Sequence, residues 1–364
     1  MLENKKVLIL GMARSGYEVA KLVSKGNNKI IITDQKDQAE EKVKELQELG
    51  VSFLKTEEPE MILDETFDIL IKNPAVQPYH PCVEKAETLG IPVVNEMEIA
   101  YHYIKEPVNI IGVTGSNGKT TTVTLIHEIL KKAGFPVKLG GNIGTPLSAI
   151  VNDLKENDIL LLEISDHQLN DMKDFKTNIS VLTNLCPTHL DYHGSYEKYK
   201  EVKKRIFNHH TQNDLAIINA SNYDSMELTK AIPSTKIYFN NEENYIQDGK
   251  IYVDKKVVIN TEDILLKGNH NYENILVTYL IAKVLKIDFQ YVKEVLEEFK
   301  GVEHRLEFVR EQNGISYYND SKSTNPTATI TALKSFSGKI DLILGGMERS
   351  QDFNDLTPYK SKIK

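Results

Sequence analysis

The chain has 364 residues, enough for two or three domains that each bury a core. Charged residues make up 26% of it and the net charge is −8, with an isoelectric point near 5.8, so the broad cationic composition that neutralises nucleic-acid phosphates is lacking. Cys82 and Cys186 are too few and too far apart for a disulfide framework or a zinc site, and they read as buried or incidental thiols.

The N-terminus, Met1-Leu2-Glu3-Asn4-Lys5-Lys6, leads into a strand without the apolar stretch of a signal peptide. No apolar run approaches the roughly 20 residues of a membrane helix, so a soluble, cytoplasmic protein is expected. A strand is predicted over Lys6–Leu10, a helix over Ser15–Ser24 and a second strand over Lys29–Thr33, ending at Asp34. A charged helix and apolar pieces near Phe67–Ile71 and Ile91–Val94 continue this β-α-β rhythm, the pattern of a small parallel sheet flanked by helices. After the linker Lys105-Glu106-Pro107, a second α/β unit opens at Asn109–Val113, with further strands at Ile159–Glu163, Ile179–Thr183 and Leu215–Asn219. Alternating residues from Tyr245 to Asn260 around Asp248-Gly249 give a hairpin signal, and helices follow over Asn274–Leu285 and Phe289–Phe299. Past Gly301, strands are predicted at Ser316–Tyr318 and Asp341–Leu344.

The segment Gly112-Val113-Thr114-Gly115-Ser116-Asn117-Gly118-Lys119-Thr120-Thr121-Thr122 follows an apolar strand and opens a helix. Its glycines let the backbone curl so that N–H groups point at phosphate oxygens, and the helix adds its positive N-terminal end. Lys119 suits the terminal phosphates, and the Thr120 or Thr121 hydroxyl suits Mg²⁺. Val113 stands where the strict phosphate-loop pattern has its first glycine. The alternative is a glycine-rich turn that happens to precede Lys119.

Six further motifs follow in order: Gly141-Asn142-Ile143-Gly144; Glu163-Ile164-Ser165; Thr183-Asn184-Leu185 with His189-Leu190-Asp191-Tyr192-His193-Gly194; Gly268-Asn269-His270-Asn271; His304-Arg305-Leu306-Glu307; and Asp320-Ser321-Lys322-Ser323-Thr324-Asn325-Pro326. With the loop, they resemble the Mur ligase superfamily. Within it, Gly11-Met12-Ala13-Arg14-Ser15-Gly16, Asp320-Ser321-Lys322 and Gly345-Gly346-Met347-Glu348-Arg349 resemble the branch that adds D-glutamate. The resemblance implies an α/β fold in three parts: a Rossmann-like N-terminal domain over 1–106, a central P-loop ATPase-like α/β domain over 107–302, and an incomplete Rossmann-like C-terminal domain over 303–364. That last part is short against the roughly 100–150 residues of a usual domain. From this comes the expectation that the chain binds its uridine nucleotide but ligates weakly.

The implied activity is an ATP- and Mg²⁺-dependent ligation of D-glutamate to UDP-N-acetylmuramoyl-L-alanine through an acyl phosphate, performed by a monomer. The implied ATP-binding residues are Gly115, Ser116, Asn117, Gly118, Lys119, Thr120 and Thr121, with Asn271, Arg305 and Asp320 toward the rest of the nucleotide. Thr120, Glu163, His189 and Lys203 are the implied metal set, Lys203 as a carbamate formed from its amine and CO₂. Taken on local sequence, Lys203 is a solvated helix lysine. For substrates, the resemblance implies Arg14, Ser15, Asp34, Gln35 and Lys36 for the uridine nucleotide, Asn142 for the muramoyl or diphosphate part, and Thr324 and Arg349 for D-glutamate.

Two positions depart from the pattern: Asn73-Pro74-Ala75 stands where Ser-Pro-Gly is commoner, and Asp166-His167 replace Ser-Phe beside the metal strand. The Asp166-His167 pair either acts on substrate or metal, or faces solvent. His270 either acts or packs at the helix start. The rival readings are a nicotinamide oxidoreductase, weakened by Ala13 at the middle glycine position, another amino acid ligase of the superfamily, and a non-catalytic substrate-binding homologue.

Overall fold

The computed structural model describes residues 2–323, 326–346 and 353–364. It divides into two compact units, Met1–Lys119 with Phe135–Ile237, and Thr120–Gly134 with Tyr238–Lys364.

The first unit opens with β1 (Lys6–Leu10), α1 (Arg14–Val23), β2 (Lys29–Asp34), α2 (Glu40–Glu48), β3 (Val51–Lys55), β4 (Ile69–Lys72), α3 (Pro81–Thr88), β5 (Val93–Val94) and α4 (Glu96–Tyr101). The strands form a five-stranded parallel sheet in the order β3-β2-β1-β4-β5. Leu8, Leu10, Phe67, Leu70, Cys82, Val83 and Ala86 pack one of its cores. Strand order reverses at β1, so the crevice beyond the ends of β1 and β4 is where such sheets take ligands. Gly16 lies there in close packing, since a Cβ on it would fall 1.9 Å from the Gly11 carbonyl oxygen.

A second sheet carries the phosphate loop. In chain order this stretch runs β6 (Asn109–Thr114), α5 (Lys119–Lys132, which from Thr120 on belongs to the second unit), β7 (Val137–Gly141), α6 (Leu147–Ile150), β8 (Ile159–Glu163), α7 (Asp166–Asn170), β9 (Ile179–Leu182), α8 (Leu190–His193), α9 (Tyr196–Lys204), β10 (Leu215–Asn219), α10 (Tyr223–Thr229) and β11 (Thr235–Phe239). The strand order is β11-β10-β9-β6-β8-β7, with β6 to β10 and β7 all parallel where they pair. Strands buried on both faces read as continuous apolar runs, as β8 does in Ile159-Leu160-Leu161-Leu162.

The second unit holds the antiparallel β12 (Tyr245–Gln247), β13 (Lys250–Val253) and β14 (Lys256–Asn260), then α11 (Asn269–Val284), α12 (Phe289–Glu298), the β15 (Glu307–Gln312) and β16 (Ile315–Asn319) hairpin and α13 (Pro326–Lys334). Asp248 and Gly249 both take positive φ in the tight turn between β12 and β13. The predicted strand at Asp341–Leu344 is a correction: this segment is irregular. Ile340 makes a lone bridge to Ile363 and Ile343 is 96% exposed, so the apolar run has no ladder to join. Among the described residues, no helix is long and apolar enough to cross a membrane.

Candidate active site

The phosphate loop turns at the end of β6, between the ends of β8 and β9, where the second sheet reverses its strand order. Gly115 takes φ +144°, and a Cβ there would lie 2.0 Å from the Thr183 hydroxyl oxygen, so only glycine fits. The loop is pinned from the β9 side. Ser116 N donates to Asn184 O at 2.9 Å, Asn117 N to Asn184 Oδ1 at 3.0 Å, and Thr183 Oγ1 to Asn117 O at 2.6 Å. The Ser116 hydroxyl lies 2.7 Å from the Tyr199 hydroxyl of α9 and accepts from Cys186 N at 2.9 Å. Lys119 Nζ folds back onto the Gly115 and Ser116 carbonyl oxygens at 2.8 and 3.0 Å.

Glu163 ends β8 in register with Val113 of β6 and Gly141 of β7. Its side chain is buried; Oε1 accepts from Asn142 Nδ2 at 2.6 Å, while Oε2 has no hydrogen-bond partner. A buried anionic oxygen without a donor is costly. It fits a hard divalent cation such as Mg²⁺, which takes oxygen ligands.

Two residues further, Ser165 caps α7 in a capping box: Gln168 N donates to Ser165 Oγ at 3.2 Å, and Ser165 N to Gln168 Oε1 at 3.0 Å. That cap sets Asp166 at the first position of the helix. Asp166 is buried, and Oδ2 accepts from His189 Nδ1 at 2.9 Å and His193 Nε2 at 2.8 Å, with His167 Nδ1 at 3.3 Å. Oδ1 lies 3.4 Å from Lys203 Nζ, which is fully buried and donates to Thr114 Oγ1 at 3.1 Å.

Burial alone would raise the Asp166 carboxyl, but the hydrogen bonds from His189 and His193 and the charges of Lys203 and His167 hold it well below the usual range. Burial, helped by the charge of Lys119, lowers Lys203 to about 7 against the pull of Asp166. Burial likewise lowers the half-buried His167 to about 4.

In the first sheet, Asp34 accepts from Met12 N through Oδ2 and from Lys36 N through Oδ1, at 2.8 and 2.9 Å, and so orders the loop after β1. Asn73 donates to Ser15 Oγ at 3.3 Å and accepts from Ala75 N at 3.0 Å, which closes the crevice turn at the end of β4. Arg14, Gln35 and Lys36 are exposed there.

The chain is 41% identical over its whole length to a UDP-N-acetylmuramoylalanine–D-glutamate ligase of Geobacillus kaustophilus, covering 81% of that relative. It is equally identical to its counterpart in Streptococcus pneumoniae (strain CGSP14), again covering 81%. The Mur ligase middle domain matches residues 113–282. The chain belongs to the Mur ligase family. Solved Mur ligases share the multi-domain α/β fold. A UDP-N-acetylmuramate:L-alanyl-gamma-D-glutamyl-meso-diaminopimelate ligase from Neisseria meningitides has TM-score 0.56 at 18% identity, covering 82% of this chain and 99% of its own. A UDP-N-acetylmuramate–alanine ligase from Thermotoga maritima has TM-score 0.55 at 20% identity, covering 91% of this chain and 77% of its own.

Of the residues that the Mur ligase motifs single out, the structure gathers Gly115 to Lys119, Asn142, Glu163, His189 and Lys203 around the strand ends of the second sheet. Arg14, Ser15, Asp34, Gln35 and Lys36 gather at the first. Thr120 and Thr121 open the run of α5 that belongs to the second unit. There, Asn271 is buried and donates to Lys267 O at 2.8 Å, Asp320 accepts from Leu306 N at 3.0 Å, and Arg305 is exposed. Burial lowers the pKa of His270, which lies within the field of Asp320. Thr324 and Arg349 lie outside the described residues.

Sequence reasoning passed over Tyr199, Asn184 and His193 as site residues. His193 carried a signal, since it follows His189 by one helical turn, where two side chains reach the same partner. The exposed reading of Asp166 is excluded by its burial.

Proposed function

We propose that the chain ligates D-glutamate to UDP-N-acetylmuramoyl-L-alanine at the expense of ATP, in the cytoplasm, as a monomer organised in the three parts 1–106, 107–302 and 303–364. A carboxylate is a poor acyl donor because an attacking amine would have to expel an oxide. Transfer of the γ-phosphoryl group from ATP onto a carboxylate oxygen gives an acyl phosphate and ADP. The D-glutamate amine then attacks the carbonyl carbon, and the C–O bond breaks with phosphate as the leaving group.

The loop amides and Lys119 are proposed to hold the β- and γ-phosphates, since positioning and charge stabilisation carry this chemistry. Glu163 and Thr120 would hold one Mg²⁺, with His189 and a carbamate on Lys203 toward a second, and such ions would neutralise the phosphate charge. Asn271, Arg305 and Asp320 are proposed nucleotide contacts, and Arg14, Ser15, Asp34, Gln35, Lys36 and Asn142 contacts of the UDP-muramoyl substrate. Thr324 and Arg349 are proposed for the D-glutamate carboxylates.

The observation that carries this reading is the unpartnered Glu163 oxygen level with the phosphate loop, in a chain similar throughout to D-glutamate-adding ligases. Phosphate release should require ATP, UDP-N-acetylmuramoyl-L-alanine and D-glutamate together. Equal release with UDP-N-acetylmuramate and L-alanine would move the chain to another branch of the family.

A further inference from the structure

Lys72 ends β4 with its side chain fully buried, a costly place for an ammonium. Three acceptors surround Nζ, as many as the group has protons: Asp171 Oδ2 at 2.7 Å, Val76 O at 2.9 Å and the Tyr192 hydroxyl at 3.1 Å. Asp171 alone would balance the charge. The other two acceptors belong to the turn that follows β4 and to α8 of the second sheet. Tyr192 in turn shares its own proton between Pro74 O and Val76 O, at 3.2 and 3.3 Å. Its ring meets that of His167 edge-on with centroids 4.0 Å apart, so the histidine that replaces a phenylalanine still supplies aromatic support.

The turn held in this way walls the crevice of the first sheet. Asn73 lies against Gly11, where an added Cβ would come within 3.1 Å of the Asn73 Cβ, and its side chain donates to Ser15 Oγ at 3.3 Å. Inside the turn, Ala75 N donates to Asn73 Oδ1 at 3.0 Å and Val76 N to Asn73 O at 2.9 Å. Asn73 therefore sets the shape of the turn, whereas Lys72 and Tyr192 set its place relative to α8, which begins directly after His189. A substrate anchored in this crevice must bring its carboxylate to the phosphate loop of the second sheet. Misplacement by about 1 Å is enough to cost such a reaction on the order of a hundredfold in rate.

We infer that Lys72 and Tyr192 are positioning residues of the ligation, which hold the turn at 73–76 against α8 so that the UDP-muramoyl substrate is seated at the right distance from the phosphate loop. Neither serves as a substrate contact, because the protons of both groups are taken up by the protein. The inference rests on the proposed function and adds to it two residues outside the substrate, nucleotide and cation contacts named there.

The test is calorimetric binding of UDP-N-acetylmuramoyl-L-alanine and of ATP, each alone, to the full chain and its variants, with steady-state phosphate release alongside. Tyr192→Phe keeps the ring and loses the hydroxyl; it should weaken UDP-substrate binding at least about threefold, and Lys72→Met at least about tenfold. In both, kcat should fall. ATP affinity should stay at the parent value, since Thr183, Asn184 and Tyr199 hold the phosphate loop. Lys72→Met combined with Asp171→Leu removes both charges and should regain folding stability. Its UDP-substrate binding should nevertheless stay weak, because the turn and Tyr192 still lack the ammonium. That variant and Tyr192→Phe carry the test if Lys72→Met alone does not fold. Unchanged UDP-substrate binding in folded Tyr192→Phe, ATP binding weakened to the same extent, or binding that returns together with stability in the double variant would each overturn the inference. A parent chain that does not bind the UDP substrate would overturn the ligase reading and this inference with it.

Discussion

Of the carboxylates of the first unit that are nearly withdrawn from water, Glu98, Asp166 and Glu96 each meet the cost of burying charge in a different way. Glu98 collects three backbone N–H groups, Asp166 collects imidazoles and a lysine, and among the described residues Glu96 has only Ser148 as a hydrogen-bond partner. Burial, with Glu18 adding to it, therefore pushes Glu96 up to about 7 despite Ser148 and the charge of Arg14. Between pH 4.5 and 7 the folded chain binds a proton at Glu96 that the unfolded chain has released. Stability from this group should thus fall as pH rises through that window and level off above it, by about 3 kcal/mol in all. Glu96→Gln keeps the acceptor and loses the charge. Its urea midpoint should match that of the parent at pH 5 and exceed it at pH 8; parallel pH profiles would contradict the assignment. At the phosphate loop, Gly115→Ala should cut ATP affinity at least about a hundredfold in calorimetry, since the added carbon must displace Thr183 or the loop itself.

At the scale of elements, β8 and β10 were legible to the residue because both faces are covered and the apolar run is unbroken. The edge strands β3 and β11 alternate polar and apolar residues too weakly to stand out, and at β7 two glycines end the run. The loop and Glu163 were legible because their chemistry is local in sequence. The Asp166 cluster was not, because its partners come from α8 and α9, more than twenty residues away, and burial is set by packing. The same holds for Lys72, which ends β4 fully buried, 2.7 Å from Asp171 and 3.1 Å from the Tyr192 hydroxyl. Breaking a buried pair strands a charge, so Lys72→Met should cost about 3–5 kcal/mol in urea unfolding. The double variant Lys72→Met with Asp171→Leu should recover most of that loss; additive losses would show that the two side chains do not act as a pair.

At the scale of the whole molecule, a nucleotide that binds only the folded chain must stabilise it. At a hundred times its dissociation constant, ATP should add about 2.7 kcal/mol. That gain should vanish in Lys119→Ala while the melting temperature without nucleotide stays close to that of the parent. An undiminished nucleotide effect in the variant would remove Lys119 from the phosphate site. The contacts around Lys72 also tie two distant segments to one opening event. Tyr192 donates to the carbonyl oxygens of Pro74 and Val76, and Tyr79 to that of Asp191, so the end of β4 and helix α8 hold each other across both sheets of the first unit. Amides that are freed only by a common opening exchange with solvent on a common clock. The protected amides of β4 and those of α8 should therefore trade deuterium at matching rates as denaturant rises, although some 120 residues of chain lie between them.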